Sequence, residues 1–480
     1  MRPWWDIYVL VPGDSAQRFS GVLPWWSAED LRISFFRPLS AATHVIDHAL
    51  WPEVPWTMHL HSGLWFGASC AAAFGVLRRL TSKEVAVGAA LLYAASHVHA
   101  SPMGWVAQRN AVISATFGLV SLACAFDFLR AGRWRSFAAS GALFVLALMA
   151  SEGAVVIAVA VVLARILKDG SRRRWVMLAA AFSVLVVGWR GAYMALGYGV
   201  RGSGTYLDPL VSPGDFLSVL PLRACELLGL HAVPLRGAGP GVAVVGGLVF
   251  VAVGAWSLWR WRDPVIRYGA AVLLAMTMVL AVAEPDARIL SLTTVFFSML
   301  VMKVFGALGP RGRWGLAFVV VGSIFAQQWS LPRHEMRSVS TDGELGEIST
   351  ALGELENKTL VLIDPPDYAA VYRLQRALFD RGVAWPRWTL VLVTGEAVVE
   401  QRGCCTLDVS ARGEILTDAG ARFFSKDPVS AAPFSGLWFR VERPEENDFV
   451  FEFASSLASP HFVFAKWKGE SWGRWHPEDG

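Results

Sequence analysis

Charged residues are scarce in this sequence. Asp, Glu, Lys and Arg together make up 17% of its 480 residues, against about 25% in soluble globular proteins. Apolar residues reach 54%, and the mean hydropathy is +0.43. A chain of this length with so few charges is too apolar for a soluble two-domain protein, so the composition predicts a polytopic membrane protein.

Cysteine is also scarce, and its spacing indicates no motif. The chain has five cysteines and no CxxC pair, so no cysteine-based metal or redox site is predicted. Cys404 and Cys405 are adjacent, and neighbours in sequence seldom form a disulfide. The net charge is only +4, with no sign of a nucleic-acid-binding surface. Internal repeats and low-complexity tracts are absent from the sequence.

Apolar runs of about 17 to 23 residues predict ten transmembrane spans. The loops after spans one, three, five, seven and nine carry seventeen Lys and Arg residues, whereas the alternate loops carry five. By the positive-inside rule the basic loops are cytoplasmic. The predicted spans are 57–77, 84–100, 111–129, 136–150, 153–167, 175–196, 240–259, 265–283, 288–306 and 313–331.

This topology places three parts of the chain on the extracytoplasmic side. They are residues 1–56, a long loop at 197–238 and a tail at 340–480. The resulting division is a loop segment with an amphipathic helix at 1–56, a ten-helix membrane domain at 57–332, and a soluble β-rich α/β domain at 340–480. The long loop contains a predicted interfacial helix at 216–228. The tail contains a predicted helix at 369–380 and predicted strands at 359–363, 389–394, 406–410, 437–442, 449–453 and 461–466. No signal peptide precedes the first loop, so a first transmembrane helix is expected to be missing from this sequence; translocation of residues 1–56 without such a helix is the alternative.

A cluster of histidines next to the first span is the main candidate site. His44, Asp47 and His48 stand at i, i+3 and i+4, which places them on one stripe of a helix. His59 and His61 follow closely and diverge on a helix because they are two residues apart. Two imidazoles and a carboxylate could bind a divalent cation such as Mg²⁺ or Mn²⁺; a structural hydrogen-bonded cluster is the alternative.

Further candidates lie at span ends on the same predicted side. His97, His99, Trp105 and Arg109 fall in the second outer loop, and Glu152 falls in a short turn. Ionisable groups at membrane depth are costly and indicate function by default. Arg37 and Arg109 could each bind phosphate. Alternatively, they could pair with Asp47 or Glu152.

These residues, taken in order, resemble the GT-C superfamily of membrane glycosyltransferases, and in particular bacterial relatives of the protein O-mannosyltransferases. The resemblance covers about residues 30 to 170. Ser101 stands where many relatives have an acidic residue, and the acidic motif of the first helix is absent. The matching motifs are Phe36-Arg37-Pro38-Leu39 with His44, Trp51-Pro52, His59-Leu60-His61, the series His99, Trp105 and Arg109, and Ser151-Glu152-Gly153.

The resemblance implies a bacterial inner-membrane enzyme that moves a sugar from a polyprenyl-phosphate donor to an extracytoplasmic protein, lipid or glycan. Asp47, supported by His44 and His48, is then the expected acid, with Glu152 orienting the cavity. Arg37, Arg109, His59, His61, His97, His99 and Trp105 are expected to contact substrate. Three alternatives stay open: a lipid-linked glycan polymerase or ligase, an inactive GT-C-like assembly protein, and a transporter or flippase.

Overall fold

The structure is a computed structural model, and contact clustering divides it into two compact units. The first is chiefly helical and holds residues 34–199 and 207–333; the second holds residues 9–33, 200–206 and 334–480. The described residues are 32–52, 54–201, 205–233 and 239–307, with shorter stretches between 348 and 475. Trp25, Trp26 and the predicted span 313–331 lie outside them.

The first unit is built from helices, labelled α1 to α12 in chain order. Short 3-10 helices at His97–His99, Val106–Gln108, Glu152–Val155, Ala164–Leu167 and Ala287–Leu290 join some of them. The α-helices are α1 Pro38–Leu50, α2 Pro55–Leu80, α3 Lys83–Ala94, α4 Ala100–Gly104, α5 Arg109–Ala131, α6 Trp134–Ala150, α7 Val156–Leu163, α8 Arg172–Ala195, α9 Pro213–Ala232, α10 Pro240–Trp259, α11 Pro264–Leu280 and α12 Thr294–Ala307.

Within the described residues, four helices are long and apolar enough to cross a membrane: α2, α5, α8 and α10. In the most apolar 18-residue stretch of α8, and in that of α10, only 11% of the residues are buried inside the protein. Apolar side chains that face outward over a whole helix need lipid around them. By length and composition the chain therefore has the features of a multi-pass membrane protein.

The predicted number of ten transmembrane spans is wrong, because fewer helices of the described residues are long and apolar enough to cross a membrane. Two further apolar helices, α6 and α11, have only 17 residues each, and α12 has 14 within the described residues. The predicted span 84–100 is a 12-residue helix, α3, followed by a 3-10 turn, and the predicted span 153–167 contains the 8-residue α7 between two 3-10 turns. Twelve helical residues extend about 18 Å, less than the roughly 30 Å hydrocarbon core.

The centre of the helical unit is α5. In its most apolar window 78% of the residues are buried, and they pack against α2 and α6. The buried Tyr268 hydroxyl in this core donates to the Ala160 carbonyl oxygen at 3.0 Å. Burial on all sides of α5 fixes the position of Arg109, its first residue.

The loop 197–238 contains a longer helix than its sequence pattern predicts. The predicted interfacial helix at 216–228 is α9, which has 20 residues and contains Pro221. α9 packs backbone to backbone against α10, since a methyl group added at Gly246 would lie 1.6 Å from the Cys225 carbonyl oxygen. Such close approach is typical of small residues between membrane helices.

The second unit contains two sheets, and a short pair of strands, β1 Arg32–Ser34 and β2 Gly199–Arg201, stands apart from them. The first sheet has the order β11-β10-β3-β4, with β10, β3 and β4 parallel and β11 antiparallel. The second, β5-β6-β9-β8-β7, is antiparallel throughout. The strands are β3 Thr359–Ile363, β4 Trp388–Val391, β5 Ala397–Gln401, β6 Thr406–Ala411, β7 Phe434–Ser435, β8 Phe439–Glu445, β9 Asp448–Phe453, β10 Phe462–Trp467 and β11 Trp472–Trp475.

The strand predictions in the tail are largely confirmed. The predicted strand 359–363 is β3 with the same bounds, and its five residues are all buried. Predicted strands near 389, 406, 437, 449 and 461 correspond to β4, β6, β8, β9 and β10. Strands β5 and β11 were not predicted. The predicted helix at 369–380 lies mostly outside the described residues.

Candidate functional site

The histidine cluster lies on α1, which begins at Pro38. Proline at the first helical position loses no hydrogen bond there, because that N–H would be unpaired in any case. The buried face of α1 carries Thr43, His44 and Asp47, whereas His48 is exposed. The predicted stripe is therefore divided, because a step of one residue turns the side chain by about 100° around the helix.

Asp47 is fully buried and contacts two residues from other helices. Its Oδ1 lies 2.7 Å from Nδ1 of His61, and its Oδ2 lies 2.5 Å from Nη2 of Arg109. A buried carboxylate is tolerated only when it is paired in this way. His48, which was expected to contact the Asp47 carboxylate, is exposed instead. His61 and Arg109 make the contacts to this carboxylate.

The hydrogen bonds of His61 determine which of its nitrogens carries the proton. The indole Nε1 of Trp65 lies 3.1 Å from Nε2 of His61. Because indole N–H only donates, Nε2 must accept, and the proton of neutral His61 is on Nδ1. Nδ1–H therefore donates to Asp47. His59 is exposed, with Nδ1 3.4 Å from the Met103 carbonyl oxygen, so the two histidines diverge as their spacing predicts.

Arg109 is completely buried, and each of its nitrogens has a partner. Nε donates to Ser62 Oγ at 2.9 Å, Nη1 to Thr43 Oγ1 at 3.3 Å and Nη2 to the Met58 carbonyl oxygen at 2.7 Å. These bonds, with the Asp47 contact, join α1, α2 and α5. The expected role of Arg109 as a phosphate ligand does not fit this geometry, because the guanidinium is completely buried and each of its nitrogens already has a partner in the protein. Pairing with Asp47, the alternative, is what the structure contains.

Arg37 and Glu152 form a second ion pair at a more accessible position. Nε of Arg37 donates to Oε2 of Glu152 at 2.9 Å, and Nη2 contacts Oε1, so the pair is bidentate. The guanidinium also lies 4.2 Å from the centre of the Phe35 ring. The side chains are 14% and 30% exposed, so both can meet a ligand from solvent.

His44 is held neutral at physiological pH by its surroundings. Burial in α1 lowers its pKa, the positive charge of Arg109 lowers it further, and Asp47 only partly opposes them, giving a pKa of about 4. A neutral imidazole beside a buried ion pair adds no charge for which the interior must compensate. His44 is therefore suited to packing and hydrogen bonding more than to proton transfer near pH 7.

The second outer loop contributes Arg109 but does not bring its other candidates to Asp47. His99 is fully buried in an aromatic environment, with ring centres 4.5 Å from Tyr93 and 5.0 Å from Phe66. His97 is also buried, in the 3-10 helix before α4, while Trp105 is 54% exposed. His97 and His99 are thus neighbours in one buried 3-10 helix, whereas Trp105 lies at the surface.

A buried histidine that the sequence patterns did not single out lies on α9. His231 Nε2 is 3.1 Å from Thr293 Oγ1, and Nδ1 is 3.3 Å from Thr294 Oγ1. Its ring stacks on Phe297 with centres 4.9 Å apart. The adjacent threonines were the available sequence signal, but nothing in the local pattern linked them to a residue 62 positions away.

The predicted Mg²⁺ or Mn²⁺ site does not fit the arrangement of its residues. His48 is exposed, and both oxygens of Asp47 are occupied by His61 and Arg109. Among the residues that the structure describes, no group of three or more His, Cys, Asp or Glu side chains is arranged to hold a metal ion. His44, Asp47 and His48 therefore provide no set of three ligands.

Comparison with known proteins finds distant structural similarities, among them an oligosaccharyltransferase and an arabinofuranosyltransferase. No family model and no curated protein matches the chain. The crystal structure of the Archaeoglobus fulgidus oligosaccharyltransferase, tethered with an acceptor peptide, is similar at 12% identity and a TM-score of 0.43 over 80% of this chain and 60% of that one. The arabinofuranosyltransferase AftD from Mycobacteria is similar at 18% identity and a TM-score of 0.35, over 76% and 29%.

The chain thus spans less than two thirds of the length of either protein. TM-scores below 0.5 at such identities assign neither a fold nor a function. Evidence for a function therefore comes from this chain's own residues.

Proposed function

We propose that this chain is a membrane glycosyltransferase that moves a sugar from a polyprenyl-phosphate donor to an extracytoplasmic protein, lipid or glycan. The observation that carries the proposal is the pairing of residues from motifs far apart in sequence. Arg37 contacts Glu152, and Asp47 contacts His61 and Arg109. Arg37, His61, Arg109 and Glu152 belong to the motifs on which the resemblance to GT-C enzymes rests.

In an inverting transfer, a carboxylate removes the acceptor's proton while cations stabilise the departing phosphate. Glu152 is the better candidate for the base, because its side chain is 30% exposed while that of Asp47 is 1% exposed. Arg37 is the candidate phosphate ligand, since a guanidinium binds phosphate and carboxylate with the same bidentate geometry. Donor phosphate would then displace Glu152 from Arg37 and release the carboxylate for the acceptor.

Asp47, His61 and Arg109 have a positioning role in this proposal. They hold α1 against α2 and α5, and α1 begins one residue after Arg37. A guanidinium that must meet a phosphate needs a fixed backbone behind it. The buried pair therefore supports the Arg37 and Glu152 site without touching substrate.

An inactive assembly protein is the second candidate, and one observation favours it. Both arginines expected to bind phosphate are paired with carboxylates of the same chain. The polymerase or ligase alternative gains no comparable support: Arg223 from the long loop is buried, and its Nη1 donates to the Ala281 and Val282 carbonyl oxygens. The transporter or flippase alternative has no contact in its favour among the described residues.

The test is sugar transfer from labelled polyprenyl-phosphate sugars by the purified full chain in proteoliposomes. Arg37→Gln is expected to reduce transfer about 100-fold or more, the usual cost of removing a group that stabilises transition-state charge. Arg79→Gln is the matched control, because Arg79 forms a similar bidentate ion pair with Asp127 at the opposite end of α2 from His61. This variant should transfer sugar at a rate within about threefold of the wild type, because the substitution touches no reacting group.

Two results would decide against the proposal. Equal transfer by Arg37→Gln and wild type would remove Arg37 from phosphate binding. No transfer by the wild type across a broad panel of donors and acceptors would favour the inactive assembly protein.

A further inference from the structure

A cavity of about 590 Å³ lies at the ends of α10, α11 and α12, away from the candidate site. Its walls combine aromatic and cationic side chains. Trp259 and Trp261 are 75% and 62% exposed, although they are among the largest apolar side chains in the protein. The lining residues used below are Trp256, Trp259, Trp261, Arg260, Arg262 and Lys303.

The location of the cavity is at a membrane interface. α10 is the most apolar of the four spanning helices, with a mean hydropathy of 2.1, and it ends at Trp259. Tryptophan at the end of a span is typical of the boundary between hydrocarbon and head groups. The loop that follows is one of the basic loops that the positive-inside rule predicts to be cytoplasmic, so the cavity faces the head groups of that leaflet.

The cavity has an excess of positive charge. Its one acidic lining residue, Asp263, already has partners, because Oδ1 accepts from Val265 N at 2.9 Å and Oδ2 lies 3.0 Å from Lys303 Nζ. Partial burial raises the pKa of Asp263. The hydrogen bond from Lys303 and the positive charge of Lys303 lower this pKa by more, so the net shift is downward. Lys303 is thus neutralised by a carboxylate that stays ionised.

The two arginines of the cavity remain uncompensated. In the part of the chain that the structure describes, neither Arg260 nor Arg262 has a carboxylate partner. The guanidinium of Arg260 lies 4.8 Å from the centre of the Trp259 ring, which holds it at the cavity wall. Two guanidinium groups beside exposed indoles form a surface for an anion attached to an apolar body.

We propose that this cavity binds the phosphate head group of an anionic lipid from the cytoplasmic leaflet. Arg260 and Arg262 contact the phosphate, and the tryptophans pack against the glycerol and the first methylenes of the chains. Basic pockets between spanning helices on this side of a membrane are suited to such head groups, and about 590 Å³ is within the range of small-ligand pockets. The proposal is independent of the glycosyl-transfer activity, because it uses none of the residues at Arg37 or Asp47.

The test is lipid binding by the purified full chain, measured by native mass spectrometry. Phosphatidylglycerol and phosphatidylcholine with identical acyl chains are titrated against the wild type and against the double variant Arg260→Gln, Arg262→Gln. The wild type should bind phosphatidylglycerol at least about tenfold more tightly than phosphatidylcholine, and the double variant should lose this preference. The physical reason is that charge-assisted hydrogen bonds from the two guanidinium groups to the phosphate are stronger than neutral hydrogen bonds.

The matched control is Arg133→Gln with Arg135→Gln. These arginines flank the exposed Trp134 on another basic loop of the same predicted side, and neither lines the cavity of Arg260 and Arg262. The control should keep the lipid preference. Arg260→Lys with Arg262→Lys should keep the charge and recover part of the preference, which separates lipid binding from a general loss of folding.

Three outcomes would overturn the proposal. They are equal binding of the two lipids by the wild type, an unchanged preference in the Arg260 and Arg262 variant, and an equal loss in the Arg133 and Arg135 control. A further experiment measures the binding of inorganic phosphate and of glycerol 3-phosphate to the protein in phosphatidylcholine nanodiscs. Binding of either as tight as that of phosphatidylglycerol would assign the site to a soluble phosphate and remove the lipid.

Discussion

Asp47 and Arg109 neutralise each other inside the helical unit, 62 positions apart in the chain. Each side chain is at most 1% exposed. Removing one member of such a pair leaves an uncompensated charge in an environment with little water, which costs far more than the loss of an ion pair at a surface. At the scale of single residues, this pair is therefore expected to contribute most to the stability of the α1 position.

Asp47→Asn should lower the free energy of unfolding by about 3–5 kcal/mol, because Arg109 then stays buried without its counter-charge. The measurement is thermal or denaturant unfolding of the purified protein in detergent. Asp127→Asn is the control, since Asp127 pairs with Arg79 but is 40% exposed, and it should cost about 1 kcal/mol or less. Equal stability of Asp47→Asn and wild type would contradict a structural role for the pair.

At the scale of elements, α9 and α10 approach more closely than any apolar pattern in their sequences indicates. A methyl group at Gly229 would lie 2.1 Å from the Val242 carbonyl oxygen, and one at Gly246 would lie 1.6 Å from that of Cys225. Gly247, the next residue along α10, has no heavy atom near the corresponding position. A side chain therefore fits at Gly247 but not at Gly246.

Gly246→Ala should destabilise the protein by about 1–3 kcal/mol or more, because the added methyl group forces the two backbones apart. Gly247→Ala should be neutral or slightly stabilising, since alanine is favoured over glycine in a helix by about 1 kcal/mol. Thermal unfolding of both variants in the same detergent measures the difference. A Gly247→Ala variant less stable than Gly246→Ala would contradict the packing of α9 on α10.

At the scale of the whole molecule, the basic loops predict the orientation in the membrane. The basic ends of the helices also carry ion pairs, such as Arg79 with Asp127 and Arg130 with Asp169. Such pairs reduce the net charge of these loops. The orientation rule counts Lys and Arg alone, so it still predicts a cytoplasmic position for them.

Labelling of single cysteines tests this orientation. Cys404 is exposed in the strand-rich unit, and with the other four cysteines replaced by serine it should react with a membrane-impermeant maleimide in intact spheroplasts. Arg173→Cys in a background without other cysteines should react only after permeabilisation, because Arg173 is exposed at the start of α8, on the basic side. The reverse pattern would place the second unit and the candidate site in the cytoplasm.

Parts of the candidate site could be predicted from sequence, and parts could not. The spacing of His44 and Asp47 predicted a shared helical face because helical periodicity is a local property. Pairing of Arg37 or Arg109 with a carboxylate was foreseen as an alternative to phosphate binding, but the sequence left that choice open. Only the packing of α1, α2 and α5 decided it, since it buries Arg109 completely and surrounds it with acceptors.

The sequence by itself determined the class of molecule and the location of its helices and strands. Apolar runs and helix-ending residues are read within a few turns, which is why α2, α5, α8 and α10 and strand β3 lie where predicted. Tertiary structure alone decided which ionisable groups meet and which are exposed. Charge pairs such as Asp47 with Arg109 and Arg37 with Glu152 join residues far apart in the sequence, and no local pattern encodes those distances.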